Sequence, residues 1–375
     1  MSSFRRVLRF GLLILAALIF AAAGLSFLSN RGLPTRSKSI DHLDSHEKSY
    51  LAEALHLKQA LGESLWPAWG RAEIPILAWN EKYGFLVGES NPPSGWERIP
   101  DEDILGSPYF RLQNPKREAF AVRIGERWAS SIGTKEWMQI SFVDDLRNQM
   151  PKALRPVFPY RLFLRFFGLN STDMHIAVVL HESLHAFQAG RSPGRFAEAR
   201  NAYRDEARYP WDNPEMQRSW KLELGLLAGG LNATSNEETA NLAHQFLEHR
   251  RERRRQFGLE ASMVNYERHM EWLEGLAKYI ELALWREASM SHSYTPLPEL
   301  ATDRDFQSYK TFSSQWSKEL MTMRMQSSQH GDIRFYYTGM AQAFLLDRIR
   351  VGWKDRILDQ DVWLEGLLAE ATGKR

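Results

Sequence analysis

His181, Glu182 and His185 stand in the order H-E-x-x-H, within the stretch Thr172–Gly190, TDMHIAVVLHESLHAFQAG. On a helix, positions i and i+4 lie one above the other on the same face. Two imidazoles so placed can bind one zinc ion, and the Glu that follows the first can act as base on a water held there. With only 11 His in 375 residues, composition alone gives roughly 0.02 such matches in a chain of this length. The run Ile176–Leu180 before the motif is apolar all round, which predicts a largely buried helix. Two imidazoles and a carboxylate in such a place are costly unless they are paired or hold a metal. Ser171, Thr172 or Asp173 can cap the start of the helix and Gly190 can end it. His175 has the wrong spacing to His181 to share its face and reads as a surface or packing residue.

The elements that must position these residues come from a chain long enough for one large or two small domains. Its net charge of +2 implies no nucleic-acid or other polyanionic partner. The 13 Trp and 20 Phe are a rich supply for a core. There is no Cys, so thiolate zinc ligands, thiol nucleophiles and disulfides are excluded, and a zinc site must use His, Asp or Glu.

At the N-terminus, Arg5, Arg6 and Arg9 precede Phe10–Asn30, FGLLILAALIFAAAGLSFLSN, which carries no charge. This length suits one transmembrane helix. Ala21-x-Ala23 offers a signal-peptide cleavage site as the alternative. The apolar run continues to Phe27 and Leu28, which favours an uncleaved anchor. The catalytic region is expected outside the cytoplasm, although Arg31, Arg36 and Lys38 after the span weaken the positive-inside bias.

Residues 31–45 read as a linker. Residues 46–160 read as an α+β N-terminal region: a helix over Glu47–Leu65, short strands at Ile74–Trp79 and Gly84–Gly88, a loop over Ser90–Asp103, and a meander of Ala119–Ile124, Arg127–Ile132 and Glu136–Phe142. An open sheet edge can take an extended peptide as an added strand, and Glu136–Phe142 is the candidate edge. Residues 161–375 read as helical almost throughout. In that half, His249–Arg255 (HRRERRR) on a helix over Glu237–Phe257 reads as a solvated basic face. The fold class is therefore α+β.

A catalytic zinc needs three protein ligands. Gln188 and Arg191 stand where the H-E-x-x-H-x-x-G-x-x-H pattern has its Gly and its third His, so a three-His site at the usual spacing is not present. Glu274, in Trp272-Leu273-Glu274-Gly275-Leu276-Ala277, lies at the margin of an apolar helical stripe and can face a cleft. Glu267, His269, Glu271 and Glu281 are the alternatives, with Glu267, Glu271 and Lys278 reading as a solvated face.

This segment resembles the W-L-N-E-G-F-A signature of membrane-alanyl-aminopeptidase-like enzymes, which belong with thermolysin to the gluzincin metallopeptidases. Matched through Glu-Gly-x-Ala, Glu274 takes the third zinc-ligand position. One residue of the signature between Leu and Glu is missing here, and residues 186–273 form a long insert. The resemblance further implies a zincin-like catalytic domain and an oxyanion-stabilising Tyr downstream. Tyr336, in Phe335-Tyr336-Tyr337-Thr338-Gly339, suits that place, with Tyr337 as the other option. His330 is the alternative donor, by analogy with the His used in the thermolysin branch. No Gly-Ala-Met-Glu-Asn segment precedes His181, so aminopeptidase specificity is not implied. The reading is a membrane-anchored zinc metallopeptidase acting on a peptide or protein substrate. The competing readings are an inactive zincin scaffold that binds a partner at the membrane, and a metallohydrolase of a non-peptide amide or ester.

Overall fold

The computed structural model describes residues 17–116 and 120–373. The first part of the apolar N-terminal segment, residues 1–16, lies outside the described residues. Residues 17–30 are helical, and no helix among the described residues is long and apolar enough to cross a membrane.

Helix α1 (Ser45–Leu65) is capped by the Asp44 side chain, which accepts the Glu47 amide. It buries Leu51, Ala54 and Leu57, which fall on one face at helical spacing. Strands β1 (Ile76–Trp79) and β2 (Tyr83–Val87) make a hairpin. Asn80 closes the turn by accepting the Lys82 and Tyr83 amides at 2.9 and 2.8 Å. Four more strands follow: β3 (Glu97–Ile104), β4 (Ser107–Gln113), β5 (Ala121–Ile124) and β6 (Arg127–Gly133). The six strands form one sheet in the order β3-β4-β2-β1-β6-β5. The β1–β6 pair is parallel, with Leu77 opposite Ser131, and the other pairs are antiparallel. The expected loop over Ser90–Asp103 is thus partly strand. In β3 only Ile99 and Ile104 are fully buried, so the period-two alternation that reveals a half-buried strand is absent.

The expected strand over Glu136–Phe142 is instead the first half of helix α2 (Lys135–Gln149). Gly133-Thr134 ends β6 and starts this helix. The Thr134 hydroxyl accepts the Trp137 amide at 3.3 Å. The Glu47 carboxylate on α1 accepts the Lys135 and Glu136 amides at 3.1 and 3.0 Å. A helix keeps its own backbone bonds, so this stretch offers no sheet edge. The edge strand on that side is β5. Residues 31–45, expected as a linker, run along the sheet: Ser37 donates to Glu81 and Asn80 to the Ser39 and Ile40 carbonyls.

The rest of the described chain is helical: α3 (Tyr160–Phe166), α4 (Thr172–Arg191), α5 (Pro193–Ala202), α6 (Pro214–Asn232), α7 (Asn236–Gln256), α8 (Ala261–Met270), α9 (Leu276–Met290), α10 (Phe312–Met325), α11 (Ile333–Ile349), α12 (Trp353–Arg356) and α13 (Leu364–Ala371). The architecture is α+β. One hydrophobic core runs from Leu43 to Leu368 and joins the sheet to the C-terminal helices. Helix α4 lies in its middle, between β5–β6 on one side and α9 on the other.

The basic run on α7 is split by helical periodicity. Arg251 and Arg255 stay exposed and pair with Glu248 and Glu252 one turn back. Arg250 and Arg253 are fully buried and Arg254 largely so. Arg250 binds Glu271 at 2.6 Å, Arg253 binds Glu267 at 2.7 Å and also Glu223, and Arg254 binds Glu365 on α13 at 2.8 Å. Arg268 joins Glu365 at 2.6 Å. Glu267 and Glu271 therefore do not face water, because the Arg face of α7 covers them. Four guanidinium groups meet four carboxylates here, which is the condition under which buried charge is tolerated.

Candidate metal centre

Helix α4 begins where the Ser171 hydroxyl accepts the Met174 amide at 3.2 Å. It runs through Gly190 to Arg191, and Pro193 opens the next helix. Ile176, Val179, Leu180 and Leu184 face the core, which fixes the rotation of the helix. His181 and His185 then emerge together on the side that meets α8–α9. His175 is buried against the edge of the Tyr50 ring, and burial brings its pKa down to about 3.

Helices α8 and α9 are one continuous rod interrupted by a single π-helical turn, Glu271–Gly275. Such turns insert one extra residue and re-aim the side chains around them. Glu274 sits in this turn and is 1% exposed. Its Oε2 lies 3.3 Å from His181 Nε2 and 3.4 Å from His185 Nε2. All three groups are buried, and their ligating atoms fall within 4.8 Å of one another. His185 Nε2 and Glu274 Oε2 face each other and make no other hydrogen bond. A tetrahedral ion with ligand bonds of about 2.0–2.1 Å separates its ligand atoms by about 3.3 Å. The two measured separations match that edge, so the group can hold a metal ion.

Each imidazole is turned toward this point by a bond on its other nitrogen. Gln188 accepts from His185 Nδ1 at 3.0 Å, while its own amide donates to the Trp272 carbonyl at 2.7 Å. The donor end of Gln188 is thereby occupied, so its oxygen faces His185 and the imidazole carries its proton on Nδ1. The lone pair on Nε2 then faces Glu274. His181 Nδ1 lies 3.3 Å from Glu281. Glu281 is bound in turn by Lys278 at 2.6 Å, and Lys278 also binds Glu319 at 3.0 Å. Burial alone would push the His181 imidazole down. The Glu274 and Glu281 carboxylates against it outweigh this and bring its pKa up to about 10. Burial opposes ionisation of Glu274, yet the two His hold its pKa well below the usual range. Two carboxylates thus flank the His181 imidazole.

Glu182 is half-buried, and its Oε2 is buried without a partner. Burial raises its pKa against the pull of His185 and His181. The Tyr336 ring stacks beside His181 at 6.1 Å. Its pKa is raised by burial first and then by the Glu274 and Asp332 carboxylates. Tyr337 turns the other way and donates to Glu319 at 2.8 Å. His330 is not brought to the cluster: its side chain is 60% exposed and pairs with Asp212 at 2.6 Å. Of the alternative ligands, Glu267 and Glu271 belong to the Arg network, His269 packs under Trp363, and Glu281 supports His181 from behind.

Two aromatic residues complete the surroundings without having stood out in the sequence. The Tyr203 hydroxyl bridges Glu274 Oε1 at 3.1 Å and Asp332 at 2.9 Å. The Phe120 ring, just before β5, stands edge-on to His185 at 5.2 Å and stacks on Tyr203 at 5.7 Å. Only Gln188 carried a usable signal, its place one turn after His185. Compared with family models, with curated proteins and with solved structures, the chain matches none.

Proposed function

We propose that this chain is a zinc-dependent metallopeptidase of the gluzincin type, held at a membrane by its N-terminal apolar segment with the catalytic domain outside the cytoplasm. The observation that carries the reading is the convergence of the buried His181, His185 and Glu274 side chains at tetrahedral-edge spacing. An all-His/Glu donor set with support on both imidazoles suits zinc. When bound, zinc supplies a Lewis acid that polarises a carbonyl and lowers the pKa of a water.

The chain's own groups supply the rest. Glu182 accepts the proton of the attacking water at its carboxylate and delivers it to the leaving amine. Its raised pKa suits a group that must hold that proton between the two steps. Tyr336 keeps its phenolic proton and donates it toward the developing oxyanion. The outer edge of β5 takes an extended peptide as a further strand, with Phe120 leading it to the cluster.

The test is metal content and hydrolysis on the full chain. Wild type should carry one zinc and cleave members of a peptide library. Glu182→Gln should keep the zinc and lose cleavage; His185→Ala should lose both. A protein that takes up no zinc, or a fully active Glu182→Gln variant, defeats the proposal. Zinc bound with no hydrolysis of any peptide leaves the scaffold reading.

A further inference from the structure

We propose that the folded domain has a membrane-contact face of its own, formed by Leu154, Leu162, Phe166 and Phe167 and seated on anionic phospholipid beside the N-terminal segment. The inference rests on reading that segment as an anchor. These four side chains are 50, 62, 73 and 53% exposed. Leu162 and Phe166 lie four residues apart on α3 and so share its outer side. The inner side, Tyr160 and Leu164, is buried with Val143. Phe167 is braced by the Phe142 and Phe163 rings.

Charge and chain path point to the same occupant. Residues 146–172 contain Arg147, Lys152, Arg155, Arg161 and Arg165 and no Asp or Glu. The chain carries no acid before Asp41 either. Where the apolar N-terminal segment ends, it is tied to this face. Arg161 donates to the Ser29 carbonyl at 3.0 Å, and Asn30 donates to the Pro156 and Phe158 carbonyls at 3.0 and 2.8 Å. Leu33 packs onto the Tyr160–Leu164 cluster. Leu18, Phe20, Leu25 and Leu28 are likewise exposed along residues 17–30. Aromatic and aliphatic side chains ringed by Lys and Arg suit the headgroup boundary of a bilayer. Asp144 offsets Arg147 at 3.0 Å, and a second copy of the chain would set the remaining cations, Lys152, Arg155, Arg161 and Arg165, against their own images. Anionic lipid neutralises them.

The chain has no Cys, so Phe166→Cys and Phe20→Cys each create a single labelling site in the full-length protein. Each variant is labelled with an environment-sensitive fluorophore and reconstituted in phosphatidylcholine–phosphatidylglycerol vesicles containing doxyl-lipid quencher. Both labels should be quenched. Adding Lys152→Gln and Arg165→Gln should lower the docked-to-free ratio at position 166 roughly 25-fold, about fivefold for each cation removed, with quenching at 20 unchanged. Quenching at 20 but not at 166 overturns the contact face and leaves the anchor. Quenching at neither overturns both. Energy transfer between 166 labels of different molecules, without lipid quenching, assigns the face to a second copy and overturns the proposal.

Discussion

Replacing Gly339 with Ala should damage the metal centre although Gly339 touches none of its ligands. Gly339 on α11 faces the π turn that carries Glu274. A Cβ at 339 would lie 2.7 Å from the Gly275 Cα and 2.5 Å from the Glu271 carbonyl oxygen. Both neighbours are backbone, so no side chain can swing aside. Carbon atoms pack at about 3.5 Å or more, so the turn must retreat by about 0.8 Å. Metal sites tolerate ligand displacements of only about 0.2 Å. Affinity for zinc should therefore fall about tenfold or more, the scale seen when support for a ligand is lost. Global stability should change less. Overpacking costs about 1–3 kcal/mol, and the better helix propensity of Ala returns about 1 kcal/mol. The assay is zinc competition against a chelating dye, with urea unfolding of the same sample. Gly225→Ala is the control: it lies in α6 with nothing within 4 Å of its would-be Cβ, and should gain up to about 1 kcal/mol with affinity unchanged. Wild-type zinc affinity in Gly339→Ala would refute the claim that this helix contact sets the position of Glu274.

Gln188→Leu should weaken zinc binding about 10–100-fold by releasing His185 Nδ1, read by the same competition. Arg253→Met leaves Glu223 and Glu267 buried with too little positive charge and should cost about 3–5 kcal/mol in urea unfolding. Arg255→Ala removes an exposed pair and should leave the urea midpoint at the wild-type value. Burial raises the pKa of Glu47 from 4.5 to about 7, against the two amides it accepts. A carboxyl with a raised folded pKa gives stability that is complete below pH 4.5 and lost as pH rises through about 7. The loss is up to about 3 kcal/mol. Glu47→Gln should flatten the urea-midpoint profile across that window.

The two His and Glu182 were legible because their chemistry depends on spacing within one helix. Glu274 was legible through its place at the margin of an apolar stripe and through a short local likeness, although its contact with His181 is made by the fold. The supports of the site left little trace. Glu281, Tyr203 and Phe120 reach it across long sequence separations, and no periodicity encodes such a meeting. Helix α2 was mistaken for a strand because half of its cap, Glu47, comes from α1. The faces of α7 and α8 were read as solvated because a polar stripe is assigned to water by default; here each stripe was the other's partner. The spacing of Arg250, Arg253 and Arg254 against Glu267 and Glu271 fits two complementary helix faces.

The Arg–Glu lattice has a consequence for the order in which the protein can be completed. Glu365 serves Arg250, Arg254 and Arg268 at once, and it leaves the ribosome long after the segment that carries Glu274. Until α13 arrives, three guanidinium groups beside the bracing of the third ligand lack a shared carboxylate. Folding proceeds from the N-terminal side during synthesis, so the sheet and α4 can assemble early. The turn that presents Glu274 gains its full support only when α13 docks, so the group that could hold a metal ion is completed late in folding.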